Sequence, residues 1–296
     1  MPLRPPGRAM LCGFAAIALW STLASLTTLA GPIPPFQLAA ITFTIGAVAG
    51  VAGLAITGQP IRLAWSAPPA AAALGVAGLL GYHALYFYAL QTAPAIEANV
   101  VNYLWPLLIV MFSALLPARA GGKGLKAPHI VGALMGFAGA LLALGGPVPL
   151  MGAGGHLANA GPGHLAALGA AIVWAAYSVA SRLYAHVPSA SIVGACALTA
   201  IGATLVHLLI ETPVWPASAL QWGIVLAMGL GPVGLAFTLW DEAVKHGDIR
   251  LVGVISYTTP LASNGLLTLL GLGTASPALI AAILLVTTGA LIASRT

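Results

Sequence analysis

Apolar runs of about twenty residues alternate along the chain with short clusters of Gly, Pro and charge, and a bilayer's hydrocarbon core takes about twenty apolar residues per helix. Ten such runs can be marked, roughly 9–30, 36–57, 69–91, 94–116, 126–145, 163–185, 189–210, 219–243, 249–271 and 277–294. Between them lie GPIPP at 31, GQPIR at 58, PARAGGKGLKAP at 117, GPVPLMGAGGHLANAGPG at 146 and GTASP at 273. Such sequences end helices, because Pro has no N–H to give and Gly resists helical order. Only the connection at 146 is long. The pattern predicts an all-α integral membrane protein of ten transmembrane helices, with almost nothing left for a soluble domain.

Composition agrees: 60 % of residues are hydrophobic, 5 % are charged and the mean hydropathy is +1.02, where a soluble domain carries about a quarter charged residues. Arg4 and Arg8 before an apolar run also resemble a signal peptide, but the run is long enough to span and many more follow it. Counted from a cytoplasmic N-terminus, Arg4, Arg8, Arg62, Arg119, Lys123, Lys126, Arg182, Lys245, Arg250 and Arg295 all fall at inside ends or connections. The positive-inside rule then places both termini in the cytoplasm. Anionic headgroups account for the net charge of +5 without any nucleic acid. Cys12 and Cys196 sit in apolar runs without metal-ligand spacing and read as small core residues.

The sequence also matches itself. Gly75, Leu85, Ala89, Val100, Tyr103, Pro106 and Leu107 recur 154 positions on as Gly229, Leu239, Ala243, Val254, Tyr257, Pro260 and Leu261, and Trp20 recurs as Trp174. GALLA at 139 returns as GALIA at 289. The chain therefore reads as two five-helix halves, 1–145 and 163–296, joined by an extracytoplasmic linker at 146–162. Because five is odd, the second half enters from the opposite side, giving an inverted repeat of the kind that secondary transporters use around a central cavity.

Within the oily fourth span, Asn99, Asn102, Tyr103 and Pro106 stand at i, i+3, i+4 and i+7, one stripe on a 3.6-residue helix. The ninth span repeats it with Gly253, Ser256, Tyr257 and Pro260. Such stripes turn from lipid, because an unpaired amide in hydrocarbon costs several kcal/mol. Pro106 and Pro260 withhold a helical partner from the carbonyls of Asn102 and Ser256, so the two prolines are candidate hinges and the two carbonyls candidate ammonium ligands; plain packing kinks are the alternative. Tyr82, His83 and Tyr86 share a face of the third span, Trp20 lies on the first, and Trp174, Tyr177 and Ser178 lie on the sixth. Rings this far from the interfaces suit a partly polar guest or plain core filling. Trp105 lies off the stripe by one residue's rotation.

His83 has either a proton-shuttle or a hydrogen-bonding role. Glu97 follows Pro94 in the first turn of its span, where an acid favours the helix dipole, and could serve a gate. Asp241, Lys245 and Arg250 cluster with Glu242 and Asp248 near the inner end of the eighth and ninth spans, as interfacial ion pairs or an inner gate. Gly46, Gly50, Gly53 and Gly132, Gly136, Gly139 read as close-packing stripes. His156 and His164, in the long connection, lack a companion acid or Cys, so no metal is expected.

Two inverted five-span halves, with VVNYLWPLL in the fourth span and LWDEAVKHGDIRLVGVISYTTPLAS across the eighth and ninth, resemble the drug/metabolite transporter superfamily. Within it, the likeness is to the EamA-type exporters of aromatic amino acids in bacterial inner membranes. The resemblance implies a central cavity lined by spans 1, 3, 4, 6, 8 and 9, opened alternately to either side. The segments LLPARAGG and LLGLGTAS lack the acidic residue that many relatives carry there. Rings for stacking, Asn and free carbonyls for an ammonium, and Tyr and Trp donors for a carboxylate fit export of aromatic and apolar amino acids by a monomer without a cofactor. No Lys or Arg falls in the expected cavity, which argues against phosphorylated substrates. A multidrug or organic-cation exporter is the alternative, since aromatic boxes also bind cations. No H-E-x-x-H, G-x-S-x-G or paired-acid motif suggests an enzyme.

Overall fold

The computed structural model describes residues 6–114, 126–143, 161–184, 186–246, 256, 258–274 and 276–293. In chain order the α-helices are α1 Pro6–Leu29, α2 Pro35–Ile56, α3 Pro69–Thr92, α4 Ala95–Asn102, α5 Trp105–Ala114, α6 Ala127–Ala143, α7 Pro162–Ser181, α8 Ser191–Ile210, α9 Ala219–Leu230, α10 Ala236–His246, α11 Thr259–Leu269 and α12 Pro277–Ala293. A 3₁₀ turn, Ile61–Trp65, precedes α3, another, Arg182–Tyr184, follows α7, and a π-turn, Gly231–Leu235, joins α9 to α10. Among the described residues, six segments are long and apolar enough to cross a bilayer: Ala9–Leu29, Pro35–Ile56, Pro69–Thr92, Pro162–Tyr184, Ser191–Ile210 and Ala219–Ala243. With the shorter apolar helices between them, they make an all-helical, multi-pass membrane protein. Leu209, 82 % exposed, and Leu269, 85 % exposed, belong to an outer surface that lipid tails solvate and water would not.

Pro at the first turn starts α2, α3, α7 and α11, where its missing N–H costs nothing. At α2 the orphan donors are met from far along the chain. The Glu211 carboxylate accepts from the N–H groups of Phe36 and Gln37, both at 2.9 Å, and from the His207 ring at 2.9 Å, while Gln37 Oε1 accepts from Val214 N at 2.8 Å. A carboxylate at a helix N-terminus meets both the free N–H groups and the dipole. This arrangement pins the start of α2 to the end of α8, so the two helices run antiparallel.

The same holds for α6 and α12, the most extensively packed pair. A Cβ on Gly139 would come within 2.8 Å of the Ala282 carbonyl oxygen, and one on Gly289 within 2.7 Å of that of Gly132. Contacts 139 to 282 and 132 to 289 rise along one helix as they descend along the other. Elsewhere α3 packs on α7 as α1 packs on α10, and α1 packs on α11 as α4 and α5 pack on α7. The α2 stripe divides: a Cβ on Gly46 would come within 2.9 Å of the Gly234 backbone and one on Gly50 within 2.7 Å of Val193, but one on Gly53 would meet nothing within 4 Å. Of the expected cytoplasmic charges, Arg4, Arg119, Lys123, Arg250 and Arg295 lie outside the described residues, as do residues 146–160 of the linker with His156.

Because the carbonyl opposite Gly139 belongs to a rigid helix, Gly139→Ala forces α6 and α12 apart. Thermal unfolding in detergent should show destabilisation of about 1–3 kcal/mol, whereas Gly53→Ala should leave the midpoint unchanged.

Candidate functional site

Side chains from six segments enclose a central hollow: Trp20 and Leu23 from α1, Tyr82 and Tyr86 from α3, Tyr103 and Trp105 at the α4–α5 break, Trp174 from α7, Phe237 from α10 and Thr259 from α11. The Trp20 ring meets Trp174 edge-on at 5.4 Å and Trp240 at 5.0 Å, while Tyr82 stacks on Tyr86 at 5.5 Å and tilts onto Trp174 at 5.3 Å. Trp105, off the stripe by direction, is brought in because the helix is broken just before it, and it meets Trp240 edge-on at 6.2 Å. The open volume is about 20 Å³, room for about one water. Phe237, Leu23 and Thr259 were not singled out by sequence; Phe237 lies 154 residues after His83, and that offset could have found it.

The backbone explains how the polar groups reach this depth. α4 ends at Asn102, Tyr103 and Leu104 form a turn, and α5 restarts at Trp105. Pro106 has no N–H for the Asn102 carbonyl, so the ladder is interrupted here. At Pro260 the local arrangement differs. Pro260 sits in the first turn of α11, and the Ser256 carbonyl accepts from the Thr259 hydroxyl at 2.8 Å. A neighbouring side chain has replaced the missing N–H.

Asn99 is also reassigned. Its Oδ1 accepts from the Tyr86 hydroxyl at 2.6 Å, and its Nδ2 donates to Ser263 Oγ and Asn264 Oδ1, both at 3.0 Å. Asn264 Nδ2 in turn donates to the Pro260 carbonyl at 2.8 Å, and Tyr103 hydrogen-bonds Ser263. Asn99 is thus a saturated knot tying α3, α4 and α11, and it does not line the hollow. Asn102 differs: its Nδ2 donates to the Tyr82 hydroxyl at 3.2 Å, and its Oδ1 has no partner among the described residues. Tyr82, accepting there, keeps its own O–H to donate.

His83 donates its Nδ1–H to the Leu79 carbonyl at 2.8 Å, and its ring is walled by Phe43, Tyr82, Phe87 and Phe237. It stands behind the hollow. Ser178, one turn from Trp174, does not line it either. Trp20 spends its indole N–H on the Pro232 carbonyl at 3.0 Å, inside the π-turn. Ser256 is buried beneath Thr259, and Tyr257 lies outside the described residues. Of the gate candidates, Glu97 pairs at 3.1 Å with His164, which belongs to the first turn of α7 and does have a companion acid. Asp241 lies beside Tyr177. The Lys245 side chain and Arg250 lie outside the described residues. Among the described residues no group of three metal-ligating side chains occurs.

A multi-pass helical protein with rings and hydrogen-bonding groups gathered between its halves, away from lipid, is built as a small-molecule transporter. The chain belongs to the EamA-like transporter family, whose model matches residues 7–145 and again 161–295. It is 46 % identical over 293 residues, 97 % of this chain and 96 % of the relative, to the aromatic amino acid exporter YddG of Ancylobacter novellus. It is 27 % identical over 271 residues, 89 % of this chain and 88 % of the relative, to the aromatic amino acid exporter YddG of Salmonella typhimurium. A solved structure, 44 % identical, covers 98 % of both chains with a TM-score of 0.76.

Asn99→Leu leaves the Tyr86 hydroxyl and the Ser263–Asn264 pair without their common partner. Each stranded buried group costs about 1–3 kcal/mol, so the variant should lose several degrees of thermal stability in detergent. Asn102→Leu, which strands less, should lose clearly less.

Proposed function

We propose that this chain exports aromatic amino acids from the cytoplasm across a bacterial inner membrane by alternating access. Its ten spans form two inverted five-helix repeats, 1–145 and 163–296, with a linker at 146–162 and both termini cytoplasmic. The antiparallel pairings α2 with α8 and α6 with α12 support inversion, since each joins a helix to its counterpart in the other half. Residues 154 apart also touch across the centre: Trp20 with Trp174 at 5.4 Å, and His83 with Phe237 at 5.5 Å. Only positions near a two-fold axis meet their own counterparts. The described cations Arg62, Lys126 and Arg182 fall on one side in this arrangement, which supports the orientation.

One observation carries the substrate. The hollow is walled by rings, and the polar groups left with capacity beside it are of opposite character: the Tyr82 O–H as donor, and Asn102 Oδ1 with its backbone carbonyl as acceptors. A carboxylate faces the first, an ammonium the second, and an aromatic side chain stacks on Trp20, Trp174 and Tyr103. The names of the relatives point the same way. A hollow of about 20 Å³ excludes such a molecule, so binding requires the α4–α5 break or the π-turn to yield, as alternating access demands.

Counterflow of labelled phenylalanine into proteoliposomes tests the reading. The parent should exchange it, while Tyr103→Ala and Trp174→Ala should lose about tenfold or more of the flux with folding retained, given the share of binding a stacked ring supplies. Normal flux in both variants removes the hollow as the site. Inhibition by organic cations with no amino acid flux in the parent favours the cation exporter.

A further inference from the structure

A second opening lies at the end of the bundle that carries Arg62 and Arg182. Its volume is about 90 Å³, against about 20 Å³ for the central hollow. It is a slot between the 3₁₀ turn before α3, the start of α3, the end of α7, the start of α8 and Asp241 of α10. Much of its wall is small, with Ala64, Gly75, Gly194 and Ala195. The rest is chemically distinct: exposed Trp65 at the rim, Tyr177 and Tyr184 inside, the hydroxyl of Ser191, and the Asp241 carboxylate. Among the described residues no Lys or Arg lines it.

One residue separates this slot from the hollow. Tyr177 lines the slot, and its ring meets Trp174, which lines the hollow, at 5.4 Å. The ring lies directly on the backbone of α3: a Cβ added at Gly78 would come within 2.4 Å of Tyr177 Cγ. Tyr177 and Asp241 line the slot together, and Cys196, buried on α8, directly follows Ala195 of the slot wall. A glycine at 78 is what lets the ring lie flat there, since any side chain would occupy its place.

We propose that this slot is a cytoplasmic docking site for the amino acid head group, and that the Tyr177 ring is the partition between it and the central hollow. The inference rests on the export reading and its orientation. The ammonium of a zwitterion meets Asp241 in a setting partly shielded from water, while the carboxylate meets the Ser191 hydroxyl, so a primary amine beside a carboxylate is the class selected. The aromatic side chain lies against Tyr177. When that ring leaves Gly78, the substrate's ring takes its place beside Trp174, and the two compartments become one.

Cys196 supplies a readout independent of transport. In a Cys12→Ser background, inside-out vesicles are treated with a membrane-impermeant maleimide. The parent and Tyr177→Phe should label slowly. Tyr177→Ala should label about tenfold faster or more, because thiol reactivity follows access, and phenylalanine should slow it. Gly78→Ala, which displaces the ring without removing it, should speed labelling too and guards against a folding defect in Tyr177→Ala. Separately, Asp241→Asn should raise the half-saturating phenylalanine concentration at the cytoplasmic face by about tenfold, the worth of one charge-assisted contact, and far more than at the outer face. Cys196 unchanged in both ring variants overturns the partition. An equal shift at both faces, or none, in a transporting Asp241→Asn overturns the docking site. Absence of phenylalanine flux in the parent would instead strike the export reading, while the labelling result would still decide the partition.

Discussion

In hydrocarbon a polar group without a partner costs several kcal/mol, and the centre of this protein is organised around that constraint. Asn99 is the clearest case. Its amide reaches Tyr86, Ser263 and Asn264 at once, so helices from both halves of the chain are held at one register, as directly as a hydrophobic core fixes a soluble domain. The saturated knot leaves the neighbouring Asn102 and Tyr82 with unspent capacity. Rigidity and reactivity thus sit one helical turn apart on the same short helix.

The membrane-spanning pattern was open to reading from the chain because lipid imposes a single rule on every outward residue, and hydropathy reports it. Broken helices were partly legible. Pro106 interrupts its span one turn after Asn102, as the lost N–H dictates. Pro260 carries the same chemistry, but the Thr259 hydroxyl repairs it, and only a residue's neighbours in space reveal such a repair. GLGPVG at 229–234, which holds the π-turn, puts a Pro in mid-span, and a Pro alone does not tell a kink from a π-turn.

The ring cluster was legible as a set, since residues spaced along one helical face must look the same way. Individual roles were not. Asn99 and Asn102 share a stripe and a side chain, and only their partners tell a structural knot from an available ligand. His164 and Glu97, 67 residues apart, and Glu211 at the start of α2, 175 residues from Phe36, are pairings across the bundle that no local pattern encodes.

Symmetry in sequence stops short at one place. Residues 231–235 form a widened π-turn, with the Trp20 indole fastened to its Pro232 carbonyl, yet the segment 154 residues earlier, 77–81, lies within the uninterrupted helix α3. One half therefore carries a soft joint where the other carries a stiff rod. Bending the two halves draws on unlike springs, so the inward and outward orientations that the proposed function calls for have no reason to be degenerate, and this widened turn is one source of the difference.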